Sequence, residues 1–336
     1  MYFLLPASHS FTTGVLMLKA AEKCVTISRK LSIRKVTQMK QQRPYPKVMI
    51  TPKAERSVKN GHPWIYGEEI IKTEGAPRNG GLVDVFAGNA YMGTGFYNSA
   101  SKITVRLISR NANDVFDARF WRRRVEYAVR YRKTVMPGAD FSCCRLIHGE
   151  ADQMPGLTVD RYGGILSVQI TCLGMELVKD TVYRALWDVL AEMGETVEGI
   201  YERNDIGLRE REGLPEQKGW YRMEGFPVPE TAVTEICENG VRYLVDVENG
   251  QKTGFFLDQK YNRAAVARIA RGKRVLDCSC SHFMTDELFR KMLESAARDA
   301  TVSLRQIEAR QQSPDHPILW NVPETEYLKF YIFQVV

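Results

Sequence analysis

The chain has 336 residues, of which 44% are hydrophobic and 10% aromatic, enough for the packed cores of two or three domains. No stretch approaches the roughly 20 uninterrupted apolar residues that a membrane-spanning helix needs, so we expect no membrane anchor of that kind. The net charge is +7, which favours a nucleic-acid partner. Residues 1–48 carry a net +8, so the remainder of the chain is nearly neutral.

The cysteine pattern indicates a reducing compartment. Seven cysteines occur without a convincing secretory signal, and neither Cys143-Cys144 nor Cys278-x-Cys280 has the spacing of a zinc finger. Only five histidines are present, scattered along the chain. We therefore expect a cytoplasmic protein without a metal site. A homodimer is compatible with the sequence but nothing in the sequence requires it.

Residues 1–45 are basic and almost free of acidic residues. We interpret them as a disordered extension, and the sequence leaves open whether translation starts at Met1 or Met39. Residues 46–110 then become rich in β-strand patterns, with apolar-alternating runs at 81–86, 90–97 and 103–108 between Gly/Asn turns. This second segment predicts a small β-barrel.

The run ITPKAERSVKNGHPWIYGEEI, residues 50–70, resembles the start of the PUA domain in bacterial ribosomal-RNA cytosine methyltransferases. The resemblance implies a PUA-like RNA-binding domain over 46–110. Residues 111–138 follow as a basic linker helix, because apolar residues recur at helical spacing over 116–135 while arginines occupy the other faces. Arg122 and Arg123 are candidate phosphate contacts, since a guanidinium is planar and always charged. Pairing with local acidic residues is the alternative.

Residues 139–230 combine a predicted hairpin at 157–171 with an amphipathic helix at 175–193 and a further strand at 199–202, an α+β pattern. The segments RLIHGEADQMPGLTVDRYG and YERNDIGLREREGL resemble the middle domain of the same methyltransferase family. That resemblance implies a role in the RNA groove, with Arg161, Arg203 and Arg209 as candidate RNA contacts. Each of the three could equally be a structural ion-pair partner.

Residues 231–336 begin with a hairpin around Asn239-Gly240, because Asn-Gly tolerates the positive φ of a tight turn. The loop GQKTGFFLDQ, residues 250–259, a helix and a strand at 274–277 follow. This order resembles the entrance to the S-adenosylmethionine domain of the family. The resemblance implies cofactor contacts at seven positions: Gln251, Lys252, Thr253, Phe255, Gln259, Arg263 and Asp277. The alternative is a loop whose phenylalanines only fill a core.

The turn that should complete a nucleotide site is missing. A doubly wound fold ends its first strand in a glycine-rich turn, yet no glycine occurs from Ser279 to Val336. CSCSHFM, residues 278–284, instead resembles a segment near the end of the family's catalytic domain. We interpret Asp277-Cys278 as the seam of an internal deletion, which makes this domain a truncated Rossmann-like unit in a multidomain α/β protein. A sequence-assembly artefact would leave the same junction.

The resemblance implies transfer of a methyl group from S-adenosylmethionine to carbon five of a cytosine in ribosomal RNA. Cys280 matches the family nucleophile, and His282 could influence the ionisation of its thiol. The missing turn argues against cofactor binding and activity of this chain. The hypothesis from another class is therefore a non-catalytic RNA-binding protein that uses the PUA-like and middle domains.

Overall fold

The structure is a computed structural model that describes residues 43–269, 275–281 and 284–336. The predicted extension over 1–45 therefore lies almost entirely outside the described residues, as does His282. Residues 44–336 form one compact unit, in which three sheets and a separate hairpin follow one another along the chain.

The first sheet has six strands in the order β2-β6-β5-β4-β1-β3 and is antiparallel except where β1 pairs with β4. Its two end strands are joined by only four residues, 66–69. A flat six-stranded sheet would be about 24 Å wide, more than four residues can bridge, so the sheet must curve strongly, as the predicted barrel requires. The strands are β1 Lys47–Ile50, β2 Trp64–Ile65, β3 Ile70–Glu74, β4 Leu82–Ala87, β5 Ala90–Tyr97 and β6 Val105–Ser109.

Two helices follow from clear local signals. Helix α1, Pro52–Lys59, starts with Pro at its first turn, and the hydroxyl of Thr51 accepts a hydrogen bond from the Ala54 amide. Helix α2, Ala118–Val135, is capped by Asp117, whose carboxylate accepts from the Phe120 amide at 3.0 Å. The apolar stripe of α2 is buried, as its periodicity predicts.

The second sheet has five strands in the order β11-β10-β9-β8-β7 and holds the largest apolar core. Helices α2 and α3, Leu173–Glu192, contribute to that core. The predicted hairpin is present as β8 and β9, whereas β7 and β11 were not predicted. The strands are β7 Cys143–His148, β8 Leu157–Tyr162, β9 Ile165–Ile170, β10 Gly199–Asn204 and β11 Gln217–Trp220.

The remaining elements include the predicted hairpin, β12 Val233–Glu238 with β13 Val241–Asp246, and helix α4, Lys260–Ile269. The last sheet has the order β14-β16-β15, with both outer strands antiparallel to the central one. Strands β14 and β15 are therefore parallel to each other and connected through helix α5, which makes a βαβ unit with β16 inserted between its strands. The elements are β14 Val275–Ser279, α5 Asp286–Asp299, β15 Leu304–Arg310 and β16 Lys329–Val335.

The first two sheets share a tightly packed boundary. The Phe96 ring stacks on Trp121 of α2 with 5.9 Å between ring centroids, and Gly174 of α3 lies against the same phenylalanine. A Cβ at position 174 would come within 2.1 Å of Phe96 Cγ. Only glycine fits this position without moving a buried ring.

We expect Gly174→Ala to destabilise the protein by roughly 1–3 kcal/mol, because overpacking a closed core displaces side chains from their preferred rotamers. The measurement is chemical denaturation. Gly207→Ala is the matched control, since its Cβ would have no atom closer than 3.7 Å. Equal stability of the two variants would contradict this account of the boundary.

Candidate active site

A cavity of about 390 Å³ lies where the 250–259 loop, helix α4 and the C-terminal sheet meet. It is the point at which the predicted nucleophile and part of the predicted cofactor set come together. The lining residues are Phe256, Asp258, Gln259, Asn262, Arg263, Val266, Cys278, Cys280 and Phe330.

Both cysteines of the Cys-x-Cys pair line this cavity. Cys278 is in β14 and Cys280 follows the strand directly, and both are exposed cysteines outside any disulfide. Phe330 of the neighbouring strand β16 pairs with Cys278 in the sheet register and forms part of the same wall. Asp277 lies one position earlier in the strand, where its backbone pairs with Tyr331.

The loop that forms the opposite wall is held by the second sheet. Thr253 is buried, and its hydroxyl donates a hydrogen bond to Asp160 Oδ2 at 2.5 Å. The Tyr162 hydroxyl lies 3.2 Å from the same threonine oxygen and accepts from the Phe255 amide at 3.0 Å. Strand β8 thus fixes the centre of the loop through Asp160 and Tyr162, two residues that lie on the same face of the strand.

Arg263 is fixed by a pair of charge-assisted hydrogen bonds. Its Nε and Nη2 donate to the two carboxylate oxygens of Glu238 at 2.6 and 2.7 Å, and Glu238 is buried. The guanidinium also lies over the Phe255 ring, 4.4 Å from its centroid. Such a fork geometry holds the side chain in one orientation, so Arg263 forms a rigid part of the cavity wall.

Asp258 contributes a buried carboxylate to the cavity wall. Its Oδ2 accepts from the Tyr327 hydroxyl at 2.8 Å, and Lys252 Nζ is 3.7 Å from the same oxygen. Its Oδ1 is buried and has no hydrogen-bond partner within the described residues. Burial and the neighbouring carboxylate together raise the pKa of Tyr327 far above its ordinary value. A buried acceptor without a donor is costly, so Oδ1 is a position where a ligand donor would be stabilised.

Six of the predicted cofactor residues occupy three kinds of position in the structure. Gln259 and Arg263 line the cavity beside Cys280. Thr253 and Phe255 instead fasten the loop to β8 and to Arg263, while Gln251 and Lys252 are exposed at the start of the loop. The sequence pattern did not single out two wall residues, Val266 and Phe330.

A buried ionic network lies behind the loop. Arg145 donates to both carboxylate oxygens of Asp160 at 2.7 and 2.8 Å, and its Nη1 is 3.1 Å from His148 Nδ1. Burial alone would raise the pKa of Asp160, but the adjacent guanidinium lowers it below the ordinary value. Burial lowers the pKa of His148 far below its ordinary value, and Arg145 and His316 add to the effect. His148 is therefore neutral in the folded protein.

The five predicted RNA-binding arginines occupy two kinds of position. Arg122 and Arg123 lie on the outer side of α2, where Arg122 pairs with Glu126 and Glu192 and Arg123 with Asp114 at 3.3 Å.

Arg161, Arg203 and Arg209 are all buried and bind groups of this chain. Arg161 donates to the Gly163 carbonyl and Glu195, Arg203 to the Val247 and Gly250 carbonyls, and Arg209 to the Ile170 carbonyl and Glu176. In the structure described they hold loops together, the alternative role that the sequence left open. Their contact with RNA stays a prediction, and their buried positions do not support it.

Within the described residues, no helix is long and apolar enough to cross a membrane, and no group of three His, Cys, Asp or Glu side chains is arranged to hold a metal ion.

Comparison with known proteins supports the prediction of a PUA-like fold for the first sheet. Residues 48–110 match the model of a family described as a PUA-like domain. The range coincides with the curved six-stranded sheet, so this unit has a PUA-like fold, as its sequence resemblance implies.

Curated relatives share substantial identity with the chain. It is 34% identical over 235 residues to the "Ribosomal RNA large subunit methyltransferase I" of Shewanella amazonensis, a match that covers 70% of this chain and 57% of the relative. The protein of the same name from Aeromonas salmonicida is 36% identical over 225 residues, covering 67% and 54%. The matches therefore span a little over half the length of these relatives.

Two solved structures share the fold at low identity. One is described as a putative SAM-dependent methyltransferase from Streptococcus mutans, and the other as SMU.776, a putative methyltransferase complexed with SAH. Their TM-scores are 0.66 and 0.67, each at 14% identity and covering 86% of this chain and all of the other. The arrangement of sheets is thus that of a known class of α/β structures.

The neutral state of His148 makes stability depend on pH. As the pH falls below about 6.5, the unfolded chain binds a proton at this residue and the folded chain does not, so the free energy of unfolding decreases. We expect urea midpoints to fall between pH 7.5 and pH 5. His148→Gln, which keeps an acceptor for Arg145, should show a shallower decrease. An unchanged pH dependence in that variant would contradict the assignment.

Proposed function

We propose that this chain is of the S-adenosylmethionine-dependent ribosomal-RNA methyltransferase type and that its cavity is the site of methyl transfer to carbon five of a cytosine. One observation carries the proposal: a single cavity is lined by Cys280 together with Gln259, Arg263 and Asp258, whose buried Oδ1 has no hydrogen-bond partner within the described residues. The names of the curated relatives support large-subunit ribosomal RNA as the substrate class.

The residues of the cavity fit the proposed cofactor. Asp258 Oδ1 offers a buried acceptor for an amino or hydroxyl group, and Phe256, Val266 and Phe330 offer apolar walls. The cavity volume of about 390 Å³ lies within the ordinary range of small-molecule sites. Asp258, Gln259 and Arg263 would hold the cofactor, which when bound supplies the methyl group. The solved structure complexed with SAH supports the same cofactor class.

Cys280 would provide the nucleophile that a cytosine ring requires. Carbon five becomes reactive when a thiolate adds to the neighbouring carbon six, because the electron pair of the ring double bond is then available at carbon five. After methylation, loss of the carbon-five proton to a base restores the double bond and releases the thiolate. Cys280 is exposed and lines the cavity, so an unstacked base could reach its sulfur.

The second candidate function is RNA binding without catalysis, and the C-terminal sheet favours it. That sheet has three strands within the described residues, and its sequence has no glycine after β14 to form a cofactor turn. The matches to the curated relatives leave over two fifths of those relatives' length unmatched. An internal deletion at Asp277-Cys278 would account for these observations, and the PUA-like and middle units would still bind RNA.

The nucleophile is tested by Cys280→Ala. We expect methyl transfer to fall to background, because the methyl side chain of alanine cannot add to carbon six. The assay measures incorporation of a radiolabelled methyl group into unmodified large-subunit ribosomal RNA. Cys237→Ala, at another exposed cysteine outside the cavity, should retain the activity. Transfer by Cys280→Ala would remove this residue from the role.

The two candidate functions are separated by calorimetric titration of the full chain with S-adenosylhomocysteine. Binding supports the methyltransferase, and Asp258→Asn should weaken it by about 1.5 kcal/mol, roughly tenfold in Kd, through loss of a charge-assisted hydrogen bond. Glu287→Gln, at an exposed carboxylate on α5, is the control. No heat at millimolar ligand would reject the enzyme for this polypeptide and leave RNA binding.

A further inference from the structure

Helix α2 carries an exposed stripe of alternating cationic and aromatic side chains, which we call the Arg-Tyr stripe. Its members are Arg123, Tyr127, Arg130 and Tyr131. Their spacing of four, seven and eight residues places them on one face of the helix. Tyr127 is 61% exposed and Tyr131 39%, unusually high values for tyrosines on a helix whose other face is closely packed.

The arginines of this stripe have fewer carboxylate partners than the neighbouring Arg122. Arg122, one position away, is paired with both Glu126 and Glu192. Arg130, in contrast, makes no side-chain hydrogen bond or ion pair within the described residues. Arg123 forms an ion pair with Asp114 and remains 45% exposed. The stripe therefore offers cationic groups to an external anion.

Tyr131 is held rigidly enough to act as a platform. Its hydroxyl donates to the Pro314 carbonyl at 3.0 Å, and the guanidinium of buried Arg132 lies 5.1 Å from its ring centroid. Arg132 is itself fixed by Asp152 at 2.5 Å and by the Asp315 carbonyl at 3.0 Å. One side of the ring is thus supported from within the protein.

The stripe leads towards the cavity of the candidate active site. Tyr131 contacts Pro314, and the adjacent Ser313 donates its amide to the Asp258 carbonyl at 3.0 Å. Asp258 lines the cavity that also contains Cys280. The Tyr131 end of the stripe is therefore connected to the cavity wall through residues 313 and 314.

We propose that the Arg-Tyr stripe binds single-stranded RNA that flanks the target nucleotide. Unpaired bases stack on Tyr127 and Tyr131, and Arg123 and Arg130 bind the phosphates between them. Positions 127 and 131 are about 6 Å apart along the helix axis, and stacking on their rings requires bases that are free of a duplex. The assignment of RNA as the ligand rests on the proposed function.

The test is fluorescence anisotropy of the full chain with a labelled 12-nucleotide single-stranded RNA and with the same sequence in a duplex, without cofactor. Tyr127→Leu should weaken single-strand binding by roughly 5- to 150-fold, the range for removing one base-aromatic stack. Tyr127→Phe keeps the ring and should bind like the unaltered protein. Arg130→Gln should reduce the slope of log affinity against log salt by about 0.7.

Controls separate stacking from general effects. Trp320→Leu removes an aromatic side chain that is 97% exposed but lies outside α2, and it should leave single-strand binding unchanged. Circular dichroism melts establish that the variants are folded. Unchanged single-strand binding by Tyr127→Leu would overturn the proposal, as would an equal loss of duplex binding. Competition by polyglutamate as effective as that by RNA of equal charge would show a surface for acidic proteins and also reject it.

The outcomes distinguish this proposal from the proposed function. If the unaltered chain binds no RNA, the stripe and the RNA substrate are both rejected. If single-strand binding depends on the Tyr127 ring while no methyl transfer is detected, the stripe stands and the catalytic role fails. If methyl transfer occurs and Tyr127→Leu binds RNA normally, the catalytic role stands and the stripe is rejected.

Discussion

The geometry of the candidate active site depends on one buried carboxylate. Asp160 accepts two hydrogen bonds from Arg145 and one from Thr253, and it has no exposure to solvent. An ionised carboxylate in such a position is tolerated only when its oxygens are paired, and removing one partner leaves a buried charge that destabilises the fold strongly. The centre of the 250–259 loop is consequently positioned by the middle sheet.

The two walls of the cavity therefore have separate supports. Thr253 fastens the loop to the middle sheet and Arg263 is held by the β12-β13 hairpin, whereas Cys280 takes its place from β14. The walls are joined by the Tyr327 hydroxyl and the Ser313 amide, both of which bind Asp258. A three-stranded sheet is sufficient to bring Cys280 to this point, because the sheet contacts the loop through β16 and through the segment that precedes β16.

Local signals in the sequence predicted most of the elements but not the burial of charge. The Asn239-Gly240 turn predicted the hairpin, and helical periodicity predicted α2 to within two residues. Burial of Arg203 could not be predicted, because its carbonyl partners come from residues more than 40 positions away. The contribution of Phe330 to the cavity was equally hidden, since it follows from the pairing register of β14 with β16.

The predicted seam lies within a regular part of the structure. Strand β14 contains both Asp277 and Cys278, and its pairing with β16 runs from Val275 to Ser279 without a register shift. A junction inside an uninterrupted ladder leaves the C-terminal pairing intact, so Cys280 keeps a defined position whatever precedes it. The other edge of β14 has no strand partner in the part of the chain that the structure describes. Further strands of a doubly wound sheet would add at this edge, so the proposed deletion would remove cofactor-binding structure while leaving the PUA-like and middle units complete.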